Sequence, residues 1–195
     1  DSIRAGVVMS GLDARLDLLD ETLRGYGSVL VAFSGGADSA FLLAAAARSL
    51  GPDSVAAGTA LSPSLPLPER ESARSFAAGL GVRHVEVETR ELNRPGYQAN
   101  GRDRCFHCKA ELLDVLTPLA AQLGLAAVAT GTNADDAIDP FRPGIAAAAA
   151  RGACIPLRDA GLTKAEVREA SRRWGLDTAD KPAAACLASR VAYGI

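Results

Sequence analysis

The sequence predicts an α/β fold in which a parallel sheet of about five strands is covered by helices on both faces. Short apolar segments alternate along the chain with longer segments of helical periodicity, as strands joined by helical crossovers require. The chain has 195 residues, of which 48% are hydrophobic and 23% charged, so it is long enough to bury one full core. We therefore expect residues 1–195 to form a single domain.

The first part of the chain predicts two strands, each preceded or followed by a helix. Leucines at helical spacing predict a helix over residues 10–24. The apolar run 29–33 predicts a strand buried on both faces, and the alanine-rich run that ends at Leu50 predicts a helix. Residues 55–61 predict the second strand. Residues 62–68 include three prolines, which fix φ and lack an N–H, so we expect neither helix nor strand there.

The remainder continues the same alternation. The patterns predict a helix over 69–80, a strand over 82–87, a polar excursion over 88–104, a helix over 105–123 and a strand over 125–130. After these we expect an alanine-rich helix from residue 142, a short fifth strand at 155–157, and a helix through Trp174 behind a capping box of Thr163 and Glu166. We interpret this last helix as structural. Ligands of such sheets bind at the carboxyl ends of the strands.

The loop Ser34-Gly35-Gly36-Ala37-Asp38-Ser39, here called the phosphate loop, joins the first predicted strand to the next helix. Its glycines permit a tight bend, and the free N–H groups and positive dipole end of the helix attract an anion. The spacing is neither that of a Walker A loop nor GxGxxG. We predict a phosphate site here; the alternative is an ordinary glycine turn capped by Asp38.

A second candidate loop, residues 131–136, directly follows the fourth predicted strand. Gly131 permits a close backbone approach, Thr132 and Asn133 offer hydrogen bonds, and Asp135 and Asp136 offer carboxylates that hold Mg²⁺ or order the loop. The alternative is a turn capped by its Asn and Asp side chains.

The four cysteines fall in three places. Cys105 and Cys108 lie three residues apart on the first turn of a predicted helix, where the dipole favours thiolates. Cys154 or His107 could complete a zinc site with them, although no spacing requires it, and Cys154 is typical of a small buried hydrophobe. Cys186 lies between Lys181 and Arg190, whose charges favour a thiolate or hold a phosphate.

Composition argues against several classes of partner. The net charge of −2 and the pI near 5.7 disfavour nucleic acid and acidic membranes. No apolar run approaches the roughly 20 residues of a membrane helix. Four cysteines without a recognisable secretory signal predict a cytoplasmic protein, because thiols persist in a reducing compartment.

Taken together, these motifs resemble those of a known family. Residues 34–39 resemble the SGGxDS loop of the PP-loop ATP pyrophosphatases, and the ordered set of motifs is similar to that of the LarE family of ATP-dependent sulfur transferases. That family helps to make the nickel-pincer nucleotide cofactor of lactate racemase. The motifs lie at residues 34–39, 103–109, 131–136, 142–144, 162–166 and 181–190, and the resemblance runs from about residue 12 to the end.

The resemblance implies a Rossmann-like (HUP/PP-loop) fold and a two-stage reaction on a pyridinium dicarboxylate mononucleotide. A carboxylate of this substrate is adenylated by ATP with Mg²⁺, pyrophosphate leaves, and sulfur then displaces AMP. It implies catalytic roles for Lys181, Cys186 and Arg190 and Mg²⁺ ligands in Asp38 and Asp135. It further implies that ATP and its phosphates contact Ser34, Gly35, Gly36, Asp38, Ser39, Ala60, Gly131, Thr132, Asn133 and Arg142.

The family offers two sources for the sulfur. In sacrificial members the cysteine equivalent to Cys186 gives up its own sulfur and becomes dehydroalanine. In other members three cysteines hold an iron–sulfur cluster that carries an extra sulfide, and Cys105, Cys108 and Cys186 match those three. We favour a 4Fe–4S cluster here, because three thiolates leave one iron open.

The chain departs from the family in one respect, and two other functions compete. Family members continue beyond the position of Ile195 into a region that contributes to assembly and to a phosphate pocket; we expect a homo-oligomer. One competing function is that of a PP-loop tRNA thiolase, against which the acidic pI counts. The other is a non-catalytic nucleotide-binding module whose cysteines bind structural zinc.

Overall fold

The computed structural model describes residues 10–62, 65–90, 93, 95–99, 104–137 and 143–183, so the predictions for Arg142, Cys186 and Arg190 lie outside the described residues. The strands are β1 Val29–Ala32, β2 Val55–Leu61, β3 Arg83–Glu88 and β4 Ala127–Ala129. The helices are α1 Gly11–Tyr26, α2 Ala37–Leu50, α3 Leu67–Leu80, α4 Pro95–Gln98, α5 Arg104–Gln122, α6 Ala134–Ala137, α7 Pro143–Ala150, α8 Pro156–Asp159 and α9 Lys164–Arg173, with a 3₁₀ turn at Pro52–Ser54.

The strands form one parallel sheet in the order β3-β2-β1-β4. Leu30 of β1 lies opposite Ala56 of β2 on one side and Val128 of β4 on the other. The central strand is completely buried, as its unbroken apolar run requires in a sheet covered on both faces. The predicted α/β class is confirmed.

Alternate residues of β1, and Phe33, which directly follows it, pack into two separate layers of the core. Val29, Val31 and Phe33 pack with buried residues of α1, α2, α3 and α9. Leu30 and Ala32 point to the opposite face, where they pack with α5 and α7. Because side chains alternate along a strand, this one segment organises the helices on both faces.

The prediction of about five strands is wrong for the described residues, which contain four. Cys154 forms a single parallel bridge with Ala129, and residues 156–159, which include most of the predicted strand, are the short helix α8. Pro156 explains the difference, because it has no N–H for a strand ladder but suits the first turn of a helix.

Helix boundaries follow the capping residues. The predicted capping box at Thr163 is confirmed: its hydroxyl accepts from the Glu166 N–H, and the Glu166 carboxylate accepts from the Thr163 N–H. The exclusion of helix from residues 62–68 is wrong at its end, since α3 begins at Leu67 with Pro68 in its first turn. The described part of the polar excursion contains the short helix α4. Among the described residues no helix is long and apolar enough to cross a membrane.

Candidate functional site

The phosphate loop leaves the carboxyl end of β1 and closes onto the first turn of α2. Gly35 has a φ of +79°, a conformation that glycine adopts without strain. The Ser34 N–H donates to Ser39 Oγ over 3.3 Å, and the Ser39 hydroxyl lies 3.3 Å from the Gly36 carbonyl oxygen. Gly36 is the N-cap of α2 and supplies no side-chain acceptor, so the N-terminal dipole of α2 is available to an anion.

The end of β1 is held by a buried hydrogen-bond chain. The Thr59 hydroxyl donates to the Phe33 carbonyl oxygen over 2.8 Å, and His84 Nε2 lies 2.8 Å from the same hydroxyl oxygen. Because a hydroxyl has one proton, His84 Nε2 carries the N–H that donates to Thr59. Burial lowers the pKa of His84, which favours this neutral form. The residue that precedes the phosphate loop is therefore fixed from β2 and β3.

The 131–136 loop lies directly against the phosphate loop. A Cβ on Gly131 would stand 2.9 Å from Ser39 N and 3.0 Å from Ser39 Cα, so a side chain there would collide with the backbone of α2. The two loops that the sequence singles out are thus in contact at the carboxyl edge of β1 and β4. Position 131 requires a glycine, because the backbone of α2 approaches it too closely for any side chain.

Asp38 is the charged centre where these loops meet. Its Oδ2 accepts from Asn133 Nδ2 over 3.1 Å and from Lys164 Nζ over 3.4 Å. Its Oδ1 is buried and has no hydrogen-bond partner. A buried carboxylate oxygen without a partner is costly, and a bound cation would satisfy it. Asp38 therefore fits the role of a Mg²⁺ ligand.

Asp135 and Asn133 are engaged within the protein. Asp135 Oδ2 accepts from the Lys164 N–H over 2.8 Å, at the first residue of α9. Asn133 is fully buried, and its Oδ1 accepts from the Asp136 N–H over 2.9 Å. The alternative of a turn capped by Asn and Asp side chains thus describes this loop in part. The Thr132 carbonyl oxygen accepts from the Arg158 N–H over 3.1 Å, which ties the loop to α8.

Lys181 reaches the phosphate loop from the C-terminal part of the chain. Its Nζ donates to the Gly35 carbonyl oxygen over 3.0 Å and to Glu69 Oε2 over 2.6 Å. Arg168 of α9 holds the backbone of the same segment by donating to the carbonyl oxygens of Ala179 and Lys181 at 2.6 and 2.9 Å. Of the three predicted catalytic residues, this is the one that the structure describes.

The paired cysteines stand at the start of α5. Cys105 and Cys108 are both exposed, and Lys109 beside them is half-buried. Burial lowers the pKa of Lys109, and the charges of Cys108 and Asp136 oppose that shift. The charge interaction with Asp136 indicates that the start of α5 lies near the 131–136 loop. In the described part of the chain no three His, Cys, Asp or Glu side chains form a group that could hold a metal.

Two other predicted residues that the structure describes are Cys154 and Ala60. Cys154 is half-buried, packs against the core on the α2 face and contributes to the raised pKa of Tyr26. Ala60 is half-buried near the carboxyl end of β2, where it lies opposite Val87 of β3.

Sequence reasoning assigns no site role to Lys164 or Glu69, although Lys164 lies within the motif at residues 162–166. The helix that begins at Lys164 was interpreted as structural, but the ammonium of Lys164 contacts Asp38. Glu69 follows the proline-rich segment and carries no local signal of function. Only the fold brings its carboxylate to Lys181, which is 112 residues away in sequence.

Comparison with known proteins places the chain in a family. No protein-family model matches it. The uncharacterized protein slr1717 of Synechocystis sp. is 44% identical over 183 residues, which are 94% of this chain and 68% of that protein. Pyridinium-3,5-bisthiocarboxylic acid mononucleotide synthase of Lactiplantibacillus plantarum is 33% identical over 186 residues, 95% of this chain and 67% of that enzyme. The chain belongs to the LarE family. The family predicted from the motifs is thereby confirmed.

Solved structures agree with the fold of this LarE-family chain. NMN synthetase from Francisella tularensis superposes with a TM-score of 0.64 at 19% identity, covering 88% of this chain and 73% of that one. The NH3-dependent NAD synthetase from Campylobacter jejuni, solved with a nitrate ion, gives 0.60 at 18% identity and covers 87% and 75%. These likenesses confirm the predicted Rossmann-like architecture.

Proposed function

We propose that this LarE-family chain is an ATP-dependent sulfur transferase. It adenylates a carboxylate of a pyridinium dicarboxylate mononucleotide and converts it to a thiocarboxylate. The name of the Lactiplantibacillus plantarum relative, a pyridinium-3,5-bisthiocarboxylic acid mononucleotide synthase, supports the substrate class. The observation that carries the proposal is the 3.0 Å contact of Lys181 Nζ with the Gly35 carbonyl, because it connects the segment that leads to Cys186 with the phosphate loop.

In the first stage a carboxylate oxygen of the substrate attacks the α-phosphorus of ATP. The bond to the β-phosphate breaks, and pyrophosphate leaves with the negative charge. The N-terminal N–H groups of α2 and the ammonium of Lys181, both at the phosphate loop, would stabilise that charge. Asp38 would hold Mg²⁺, which neutralises phosphate charge when bound. Lys164 adds a second cation at Asp38.

In the second stage sulfur attacks the acyl carbon, and the bond to AMP breaks. Adenylation makes this possible because AMP is a far better leaving group than oxide. If the Cys186 thiolate is the nucleophile, a thioester forms; loss of the Cys186 α-proton then breaks its Cβ–S bond, leaving a thiocarboxylate and dehydroalanine. Arg190 would stabilise the thiolate or hold a phosphate.

The preferred source of sulfur is a 4Fe–4S cluster held by Cys105, Cys108 and Cys186. The described part of this donor set fits, since Cys105 and Cys108 are exposed and three residues apart near the start of α5. Three thiolates would hold such a cluster, which would supply the sulfide for the transfer. We further propose one domain over residues 1–195, a homo-oligomer, and function in the reducing cytoplasm, where free thiols persist.

Exchange of labelled pyrophosphate into ATP tests the adenylation. We expect exchange that depends on Mg²⁺ and on the pyridinium dicarboxylate mononucleotide, and its loss in Asp38→Asn. Asp53→Asn is the matched control, because Asp53 is exposed in the 3₁₀ turn that precedes β2, at the amino ends of the strands and not at their carboxyl ends. Exchange that needs no such substrate, or equal activity in both variants, would contradict the proposal.

The mass of Cys186 after turnover distinguishes the two sulfur sources. Anaerobically purified protein with iron and sulfide is expected to keep an intact thiol over several turnovers. Loss of H₂S from Cys186 after a single turnover would show that the residue is sacrificed, which would overturn the cluster and retain the adenylation. A Cys105→Ser and Cys108→Ser double variant should lose iron while Cys154→Ser retains it.

A further inference from the structure

The carboxylate of Glu69 is built into the wall of the phosphate loop. It belongs to the first turn of α3, and its Oε2 lies 2.6 Å from Lys181 Nζ. A Cβ on Gly35 would stand 3.6 Å from the Ala73 Cβ and 3.8 Å from the Glu69 carbonyl oxygen, so α3 packs directly on the glycine bend.

We propose that Glu69 is a positioning residue that holds the ammonium of Lys181 beside the phosphate loop. The inference rests on the proposed function in one respect only, that Lys181 meets the phosphates of ATP. Glu69 itself contacts neither nucleotide nor the reacting atoms and acts through Lys181.

The donor count of the ammonium supports this role. A lysine ammonium has three N–H donors and no acceptor. Glu69 Oε2 and the Gly35 carbonyl oxygen take two of them, and no described residue takes the third. Lys181 can thus bind a phosphate oxygen without breaking either contact. A cation fixed in advance stabilises developing charge better than one that must be ordered during the reaction.

Lys181 and Glu69 are both partly buried and are held in place by neighbouring residues. The side chains of Lys181 and Glu69 are only 19% and 25% exposed. Arg168 holds the Lys181 carbonyl oxygen, and α3 holds Glu69 against Gly35. Ordinary surface ion pairs lack this support and contribute little to stability. Arg24–Asp20 in α1 is such a surface pair, with side chains 62% and 45% exposed.

Lysine acylation tests the contact without any turnover. The chain has three lysines, at 109, 164 and 181, so mass spectrometry after a brief pulse of acetic anhydride reads each one separately. In Glu69→Gln we expect labelling of Lys181 relative to Lys164 to rise at least ~3-fold, because the charge-assisted hydrogen bond is lost. MgATP should protect Lys181 in the wild type. Glu71→Gln is the matched control, because Glu71 is an exposed carboxylate of the same helix.

The kinetics of pyrophosphate exchange separate positioning from a structural role. Glu69→Gln is expected to lower kcat about tenfold while the KM for ATP changes less than about twofold. Glu69→Asp retains the charge and should recover part of kcat; it also serves if Glu69→Gln does not fold. Equal labelling and equal kcat in the Glu69 and Glu71 variants would overturn the inference. If the wild type shows no exchange but the labelling result holds, the proposed function fails and the positioning role stands.

Discussion

Lys164 Nζ lies 3.4 Å from Asp38 Oδ2, although 126 residues separate them in sequence. The contact joins the first residue of α9 to the first turn of α2. The Lys164 side chain is 43% exposed and that of Asp38 18%, so the ammonium can still turn to a ligand while the carboxylate is largely enclosed. The chain thus brings a cation from its last described helix to the phosphate loop.

Lys164→Met is expected to weaken ATP binding by about tenfold, because a charge-assisted hydrogen bond at the phosphate site is lost. The fold should remain, since the Lys164 N–H that Asp135 accepts is retained in the variant. Titration calorimetry with ATP and Mg²⁺ measures the effect, and Lys164→Arg should bind more tightly than Lys164→Met. Unchanged affinity would show that Lys164 only neutralises Asp38.

Gly131→Ala should lower the free energy of unfolding by about 1–3 kcal/mol and impair ATP binding, because the new methyl group meets the Ser39 backbone. Gly79→Ala is the control. Gly79 lies in α3 with no atom within 4 Å of a Cβ, so alanine should stabilise the protein by about 0.5–1 kcal/mol. Urea unfolding measures both. An unchanged free energy of unfolding in Gly131→Ala would mean that the two loops can separate freely.

Much of the fold could be predicted from sequence, because its signals are local. Residues 55–61 were predicted as a strand and form β2 with those bounds, and the capping box of Thr163 and Glu166 opens α9 as expected. The prediction of a fifth strand was wrong for a local reason as well, since Pro156 favours the first turn of a helix. The single bridge of Cys154 depends on the position of β4, which no local pattern contains.

Thr59→Val should lower the free energy of unfolding by about 1–3 kcal/mol, because the buried Phe33 carbonyl and the His84 N–H both lose their partner. It should also weaken ATP binding, since Phe33 precedes the phosphate loop. Thr59→Ser keeps the hydroxyl and is the control. Urea unfolding and ATP titration on the three proteins check this. A Thr59→Val variant as stable as the wild type would contradict the prediction.

Glu86 predicts a pH dependence of stability. Arg70 and Arg74 both bind its carboxylate and lower its pKa from 4.5 to about 2. A lowered carboxyl pKa stabilises the folded state at pH values above 4.5, and this contribution is lost as the pH falls from about 4.5 towards about 2. The difference in unfolding free energy between wild type and Glu86→Gln should shrink over that range. A difference that stays constant with pH would contradict the prediction.

The candidate site was only partly predictable. The phosphate loop and the 131–136 loop were recognisable because each combines glycine with polar side chains after an apolar strand. Their mutual contact follows from the parallel sheet, which places β1 beside β4. The contacts of Glu69 and Lys164 were not predictable, because their side chains meet partners more than a hundred residues away in sequence. Such pairings are products of tertiary structure rather than of local sequence.

The contacts of helix α9 with the phosphate loop have a consequence for local unfolding of the protein. Its first residue supplies the ammonium at Asp38, and its Arg168 grips the backbone that presents Lys181. Transient fraying of this one ten-residue helix would withdraw two of the chain's three lysines from the phosphate loop together, while the four strands remain paired. ATP should therefore slow amide hydrogen exchange in α9 more than in β1. Binding of the nucleotide would then be measurable as increased protection of this one helix.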